Sequence, residues 1–147
     1  MNELPAVPHR LFVEHDIKVG TYEIDFAGHV SNIAYLRWLE DMRLMLFDKY
    51  FPLQGFMEQG KTPVLASTEI KYKRPIKLFD QPHGIMWVSA MGKASMTIDA
   101  EFFVDQNLTT AAKHVGVFVE LASGKPVRVP AICLDLFNGG GLNRSGA

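Results

Sequence analysis

The 147-residue sequence contains a single cysteine, Cys133. No internal disulfide can staple such a chain, and a reducing, cytoplasmic setting is expected. Charge is almost balanced: the formal net charge of −1 at pH 7 withholds the broad positive field of a nucleic-acid binder. No apolar run approaches the roughly 20 residues that span a bilayer. The opening stretch, residues 1–8, has no basic region followed by an apolar core, so neither a membrane span nor a secretory signal is expected. His9, His15, His83 and His114, with Cys133, show no metal-ligand spacing. No metal and no cofactor are implied. No Gly-x-Ser-x-Gly elbow is present, which argues against an α/β-hydrolase. Glycines cluster only in the tail, so no loop of the nucleotide-cradling kind is expected. Internal repeats are absent.

What is present suffices for one folded domain over residues 1–147. Apolar residues make up 48%, aromatics 11% and charged residues 21%, enough to bury a full core. Loose ends are expected at 1–8 and 138–147 from their proline- and glycine-rich composition. Arg10 to Tyr22 is rich in β-branched and aromatic residues and predicts a first strand, interrupted near Glu14-His15-Asp16. Ser31 to Phe51 predicts one long helix, capped by Ser31 or Asn32 and ended by Pro52 and Gly55. Its apolar face is wide, which predicts a mostly enclosed helix. Everything beyond reads as strand. Val64 to Lys73 alternates, with Val64, Ala66, Thr68, Ile70 and Tyr72 on one side. Ile85 to Met91 is a continuous apolar run, and Met96 to Val104 alternates cleanly. After a turn over Asp105 to Thr109, Lys113 to Leu121 repeats the pattern with Val115, Val117, Val119 and Leu121 on one face. The order is strand, helix, then four strands in meander order. That predicts an α+β class: a curved antiparallel five-stranded sheet wrapped around one long central helix.

The chemistry concentrates in Asp25-Phe-Ala-Gly-His-Val-Ser-Asn32, where a short loop runs into the helix. Hydrolysis of an activated carbonyl needs a group that delivers oxygen and a group that stabilises negative charge on the carbonyl oxygen. Asp25 offers the first, as nucleophile or as general base for water. The helix N-terminus, with its unpaired N–H groups and partial positive charge, offers the second. The plain alternative is that Asp25 is a turn or capping residue. His29 either holds the carbonyl or thiolate, or orients water, or simply fixes the turn through a backbone carbonyl. Asp25, His29 and Ser31 sit too close in sequence for a triad geometry. Lys71, Lys73, Arg74 and Lys77 form a basic cluster that suits CoA phosphates or, equally, a solvated strand edge.

The stretch from Tyr22 to Arg43 resembles the signature of the 4-hydroxybenzoyl-CoA thioesterase-like family. Asp25 matches that family's catalytic Asp, Gly28 its loop glycine, and Tyr35, Arg37 and Trp38 its helix pattern. The run His29-Val-Ser-Asn32 is similar to the His-Val-Asn-Asn of related acyl-thioesterases. Tyr72-Lys-Arg-Pro75 and Gly124-Lys-Pro-Val-Arg-Val-Pro130 add weaker matches, so the resemblance extends over most of residues 10–130. It implies a hotdog fold and hydrolysis of an acyl-CoA to a carboxylic acid and CoA. It further implies catalytic roles for Asp25, His29 and the Asn32 amide, with Gly28, Val30, Ser31, Tyr35, Lys73 and Arg74 contacting substrate. A homodimer or homotetramer with sites at subunit interfaces is implied too. The rival readings are an acyl-carrier-protein thioesterase, a hotdog hydratase and a non-catalytic acyl-CoA binder.

Overall fold

A computed structural model describes residues 11–139. The expected loose segments at 1–8 and from 140 onward lie outside those residues, whereas Asn138 and Gly139 form a turn. Ten elements follow in order: strand β1 (Phe12–Asp16), a 3-10 turn (Thr21–Glu23), helix α1 (Asn32–Tyr50) and helix α2 (Leu53–Glu58). Then come β2 (Lys61–Tyr72), β3 (His83–Met91), β4 (Met96–Val104), β5 (Asn107–Glu120), β6 (Pro126–Val127) and helix α3 (Ala131–Phe137). The strands form one antiparallel sheet in the order β1-β3-β4-β5-β2, with β6 pairing β5. This is the α+β arrangement expected, with a two-residue sixth strand added. No helix is long and apolar enough to cross a membrane among the described residues.

The core lies between α1 and the concave face of the sheet. Along β4, Met96, Ile98, Ala100 and Phe102 are buried while Thr97, Asp99 and Glu101 are not, the period-2 signature of a half-buried strand. On α1, Tyr35, Trp38, Leu39, Met42 and Leu46 are buried at spacings of three and four that keep them on one stripe. Gly84 of β3 permits the close approach. A Cβ there would lie 2.8 Å from the Met42 sulfur and 3.0 Å from the Phe102 ring.

Several expectations are revised. The opposite side of α1 is open rather than enclosed, with Leu36 and Leu44 exposed. The four later strands are not a simple meander: β3, β4 and β5 are joined by hairpins, but β2 pairs with the far side of β5. The chain therefore crosses from the β2 edge to β3, beside the opposite edge strand β1, through residues 73–82. Proline at position 63 is tolerated because β2 is an edge strand, and a bulge between Leu65 and Ser67 breaks its alternation. The buried face of β5 is Thr110, Ala112, His114 and Phe118, not the valine face. The β4–β5 turn is tighter than expected, because Asp105 (φ 50°) and Gln106 (φ 67°) both adopt the left-handed conformation of a two-residue hairpin. Helices α2 and α3 were not anticipated. Each begins directly after a proline, Pro52 or Pro130, which stops one element and suits the start of a helix.

His114 is fully enclosed, and its Nδ1 lies 3.2 Å from the Arg43 guanidinium. Arg43 only donates, so Nδ1 accepts and the ring is neutral. Burial, followed by the Arg43 charge, pushes its pKa down from 6.5 to about 4, against a weaker upward pull from Asp99. The unfolded chain therefore takes up the proton first as pH falls. The stabilisation is complete above about pH 6.5 and is lost progressively toward about pH 4, at most about 3 kcal/mol. Urea melts across this window should show falling stability for the native protein and a flatter profile for His114→Gln. Equal slopes would mean that His114 does not titrate differently in the two states.

Candidate active site

The loop from Ile24 to Ser31 is pinned from three sides. Ile24 and Val30 form an isolated antiparallel bridge. The Val30 amide donates to the Ile76 carbonyl at 2.8 Å, and the Ser31 amide donates to the Glu23 carbonyl at 2.8 Å. The Glu23 carboxylate in turn accepts from the Gly20 amide at 2.7 Å and from the Trp38 indole N–H at 2.9 Å. Trp38 is buried, so this bond satisfies its only polar side-chain atom and ties the loop's start to α1. Nothing in the sequence marks the pairing, because Glu23 and Trp38 are 15 residues apart.

Within the loop, Asp25 makes the turn itself. Its Oδ1 accepts from the amides of Ala27 (2.9 Å) and His29 (3.2 Å). Its backbone N–H donates to the His29 carbonyl at 2.7 Å, and the Gly28 amide donates to the Asp25 carbonyl at 3.0 Å. Gly28 carries φ of 81° with no atom within 4 Å of where a Cβ would sit. Its requirement is conformational rather than steric. No hydrogen bond among the described residues engages Asp25 Oδ2. The turn thus uses one oxygen of the carboxylate. His29 contributes its backbone to the turn, and its ring makes no hydrogen bond among the described residues.

Ser31 is the helix cap: its Oγ accepts from the Ala34 amide at 3.3 Å. The amides of Asn32 and Ile33 then remain without intrahelical acceptors at the positive end of a 19-residue helix.

An open concavity of about 300 Å³ gathers these groups, lined by Asp25, His29, Val30, Asn32 and Tyr35 on one part and by Tyr72 to Pro75 on the other. Lys73 and Arg74, 41 residues or more beyond Asn32 in sequence, reach it because both their amides donate to the Thr109 carbonyl, at 2.8 and 3.0 Å. That forked bond turns the chain sharply at the end of β2. Tyr35 is nearly enclosed, its ring edge-on to Trp38 (5.4 Å) and to Tyr72 (5.1 Å). Burial raises the pKa of Tyr35, and its hydroxyl interacts with the Thr110 side chain and the Ile76 backbone. Tyr72 is raised by burial as well, so both rings are neutral phenols at pH 7.

Seven of the sequence-selected residues therefore meet in one place: Asp25, His29, Val30, Asn32, Tyr35, Lys73 and Arg74. Gly28 and Ser31 do not line the concavity; they shape the turn and cap the helix beside it. Tyr72 and Pro75 do line it and were not selected, although both stand in the Tyr72-Lys-Arg-Pro75 motif. Lys71 and Lys77 lie outside. Among the described residues no cluster of His, Cys, Asp or Glu side chains is placed to hold a metal ion. Cys133 is fully buried, and burial pushes its thiol up to about 12, which makes it inert.

A model of the thioesterase-like superfamily matches residues 19–136. The chain belongs to that superfamily. Its members are thioester hydrolases, and this one carries the hotdog fold of its solved relatives. A DHNA-CoA thioesterase from Staphylococcus aureus superposes with a TM-score of 0.78 at 20% identity, covering 92% of this chain and 95% of the other. A thioesterase from Thermus thermophilus, solved with coenzyme A and Zn, gives 0.75 at 24% identity, covering 90% and 97%. A 1,4-dihydroxy-2-naphthoyl-CoA thioesterase from Synechocystis gives 0.77 at 16% identity, covering 87% and 96%. No curated protein matches the sequence significantly.

The Ser31 side chain caps α1. Ser31→Ala should lower unfolding stability by about 1 kcal/mol, and Ser31→Asp should restore it. Urea midpoints that do not move in either variant would remove Ser31 from the helix cap.

Proposed function

We propose that the protein hydrolyses an acyl-CoA thioester to a free carboxylic acid and CoA, with Asp25 as the oxygen-delivering residue and the Asn32 amide as oxyanion donor. The observation that supports this most is the single concavity shared by Asp25, His29, the α1 N-terminus and the Lys73-Arg74 corner. The superposed thioesterases from Staphylococcus aureus and Synechocystis are both named for CoA esters, which favours the same carrier here.

In this reading the carbonyl oxygen sits against the Asn32 amide, where the helix N-terminus stabilises the charge that develops on carbonyl addition. Two routes then use the same carboxylate. In one, Asp25 Oδ2 bonds to the carbonyl carbon, the C–S bond breaks, CoA departs as thiolate, and water hydrolyses the resulting mixed anhydride. In the other, Asp25 takes a proton from water and the hydroxide adds to the carbon before the C–S bond breaks. Each consumes one water and yields one acid and one CoA. His29 is within the concavity to bond the thiolate or orient the water. Tyr35 shapes the wall, its hydroxyl already engaged with Thr110 and Ile76. Lys73 and Arg74 are exposed cations at the mouth, suited to CoA phosphates. No cofactor beyond the substrate's own CoA is needed.

Among the described residues, no strand pairs the outer edge of β2 along Lys61–Tyr72. A free edge of that length is usually covered, and pairing with a second copy would give the homodimer, or tetramer of dimers, that we propose as the working assembly.

Free-thiol release from short, medium, long-chain and aromatic acyl-CoAs tests the reading. Asp25→Asn should lower kcat by at least about 100-fold with the fold intact by circular dichroism. Hydrolysis that survives in this variant would sink the mechanism. Lys73→Ala with Arg74→Ala should raise KM about tenfold and weaken its salt dependence, with little change in kcat. A KM that does not move would take the phosphates elsewhere.

A further inference from the structure

Tyr35 lines the Asp25 concavity although only 2% of its surface is exposed. A side chain so enclosed serves as a floor: it shows one edge to the concavity and keeps its body behind. The space behind that edge is filled. The Tyr35 ring meets Trp38 at 5.4 Å and Phe102 at 6.1 Å between centroids, and those two meet each other at 5.8 Å. All three rings are buried. Aromatic packing at interior density therefore stops the concavity at Tyr35 rather than letting it run on between α1 and the sheet.

The floor is also fixed in place. The Tyr35 hydroxyl interacts with the Thr110 side chain and the Ile76 backbone. Thr110 Oγ1 lies 3.1 Å from Thr109 Oγ1, which donates to the Phe102 carbonyl at 3.0 Å. Thr110 and Ile76 are completely buried, so swinging the ring aside would take a partner from polar groups that water does not reach. Every one of these contacts lies within one chain. A second copy against the β2 edge would add walls to the concavity and leave its floor as it is.

The direction of the acyl group follows from the thioesterase reading, on which this inference rests. With the carbonyl at the Asn32 amide and the CoA phosphates at Lys73 and Arg74, the apolar and aromatic lining that remains is Val30, Tyr35, Tyr72 and Pro75. Val30 is buried, with its amide bonded to Ile76. An acyl chain directed inward thus ends against Tyr35. We propose that Tyr35 is a specificity-determining residue that limits acyl length, so that the site selects short acyl groups. A long chain meets the ring and has to turn back toward water, where its outer methylenes gain nothing from burial.

Thiol release from butanoyl-, octanoyl- and palmitoyl-CoA, each kept below its micellar concentration, reads the limit. The native protein should show kcat/KM for butanoyl-CoA at least about tenfold above that for palmitoyl-CoA. Tyr35→Leu, which shortens the side chain and keeps it apolar, should raise the octanoyl-to-butanoyl ratio by about tenfold. Tyr35→Phe, which keeps the ring, should hold the native ratio. A purely structural role for Tyr35 would lower all three rates together and leave that ratio unmoved in both variants. Palmitoyl-CoA turned over by the native protein as efficiently as butanoyl-CoA would overturn the proposal, with no variant needed. So would an octanoyl-to-butanoyl ratio unchanged by Tyr35→Leu. The two readings fail differently: a flat length profile sinks the limit alone, whereas thiol release from none of the esters sinks the thioesterase reading and the limit with it.

Discussion

The contact on which the rest depends is the seating of α1 against β3 and β4 at Gly84. A Cβ at that position would collide with the Met42 sulfur and the Phe102 ring, so glycine sets how near the helix lies to the sheet. Met42 and Phe102 are both completely buried there, and dense packing leaves little latitude for sliding. With the helix held on the β1–β3 side, its N-terminus falls beside Ile76 and the end of β2, where the loop from Asp25 can meet it.

From that seat outward, polar groups transmit position to the loop from Ile24 to Ser31. Trp38 is buried on α1, and its indole N–H reaches the Glu23 carboxylate. Glu23 holds Gly20 by its other oxygen and Ser31 by its backbone. On the far side, the Val30 amide is held by Ile76, itself fully buried. Loops usually owe their mobility to solvent-exposed hydrogen bonds and scarce packing. This one is anchored at both ends to core residues, which is what preorganisation of the proposed oxyanion donor would require.

The helix, the alternating strand β4 and the turn before the helix were legible because each is written in local spacing. Ser31 capping α1 and Asp25 before Gly28 need no knowledge of distant residues. The strand order was not legible. Nothing in the alternation of β2 says that it pairs with β5 rather than β3, since both partners offer apolar faces. The valine face of β5 misled for a related reason. β-Branched residues suit a pleated strand on either face, and the core chose the face carrying Thr110, His114 and Phe118 instead. Helices α2 and α3 were hidden by brevity, each being too short to establish a period. The Lys73-Arg74 corner was visible as charge alone; the forked bond to Thr109 that turns it inward depends on a residue more than 30 positions away.

Asp25 shows why a turn residue and a catalyst need not be competing readings. A carboxylate that only capped its loop would need no place in the lining of a concavity. A carboxylate that only did chemistry would be free to swing among rotamers, at an entropic cost to every productive encounter. Oδ1 accepts two amides of the loop, which fixes the side chain's orientation before substrate arrives. Oδ2 is thereby aimed by the turn rather than by a separate supporting residue. The short Asp25-to-Asn32 spacing follows from the same economy, because the turn that holds the carboxylate is also the lead-in that starts the helix. In the proposed reading the carboxylate and the oxyanion donor are positioned by one piece of backbone, and they cannot drift apart unless the loop itself comes undone.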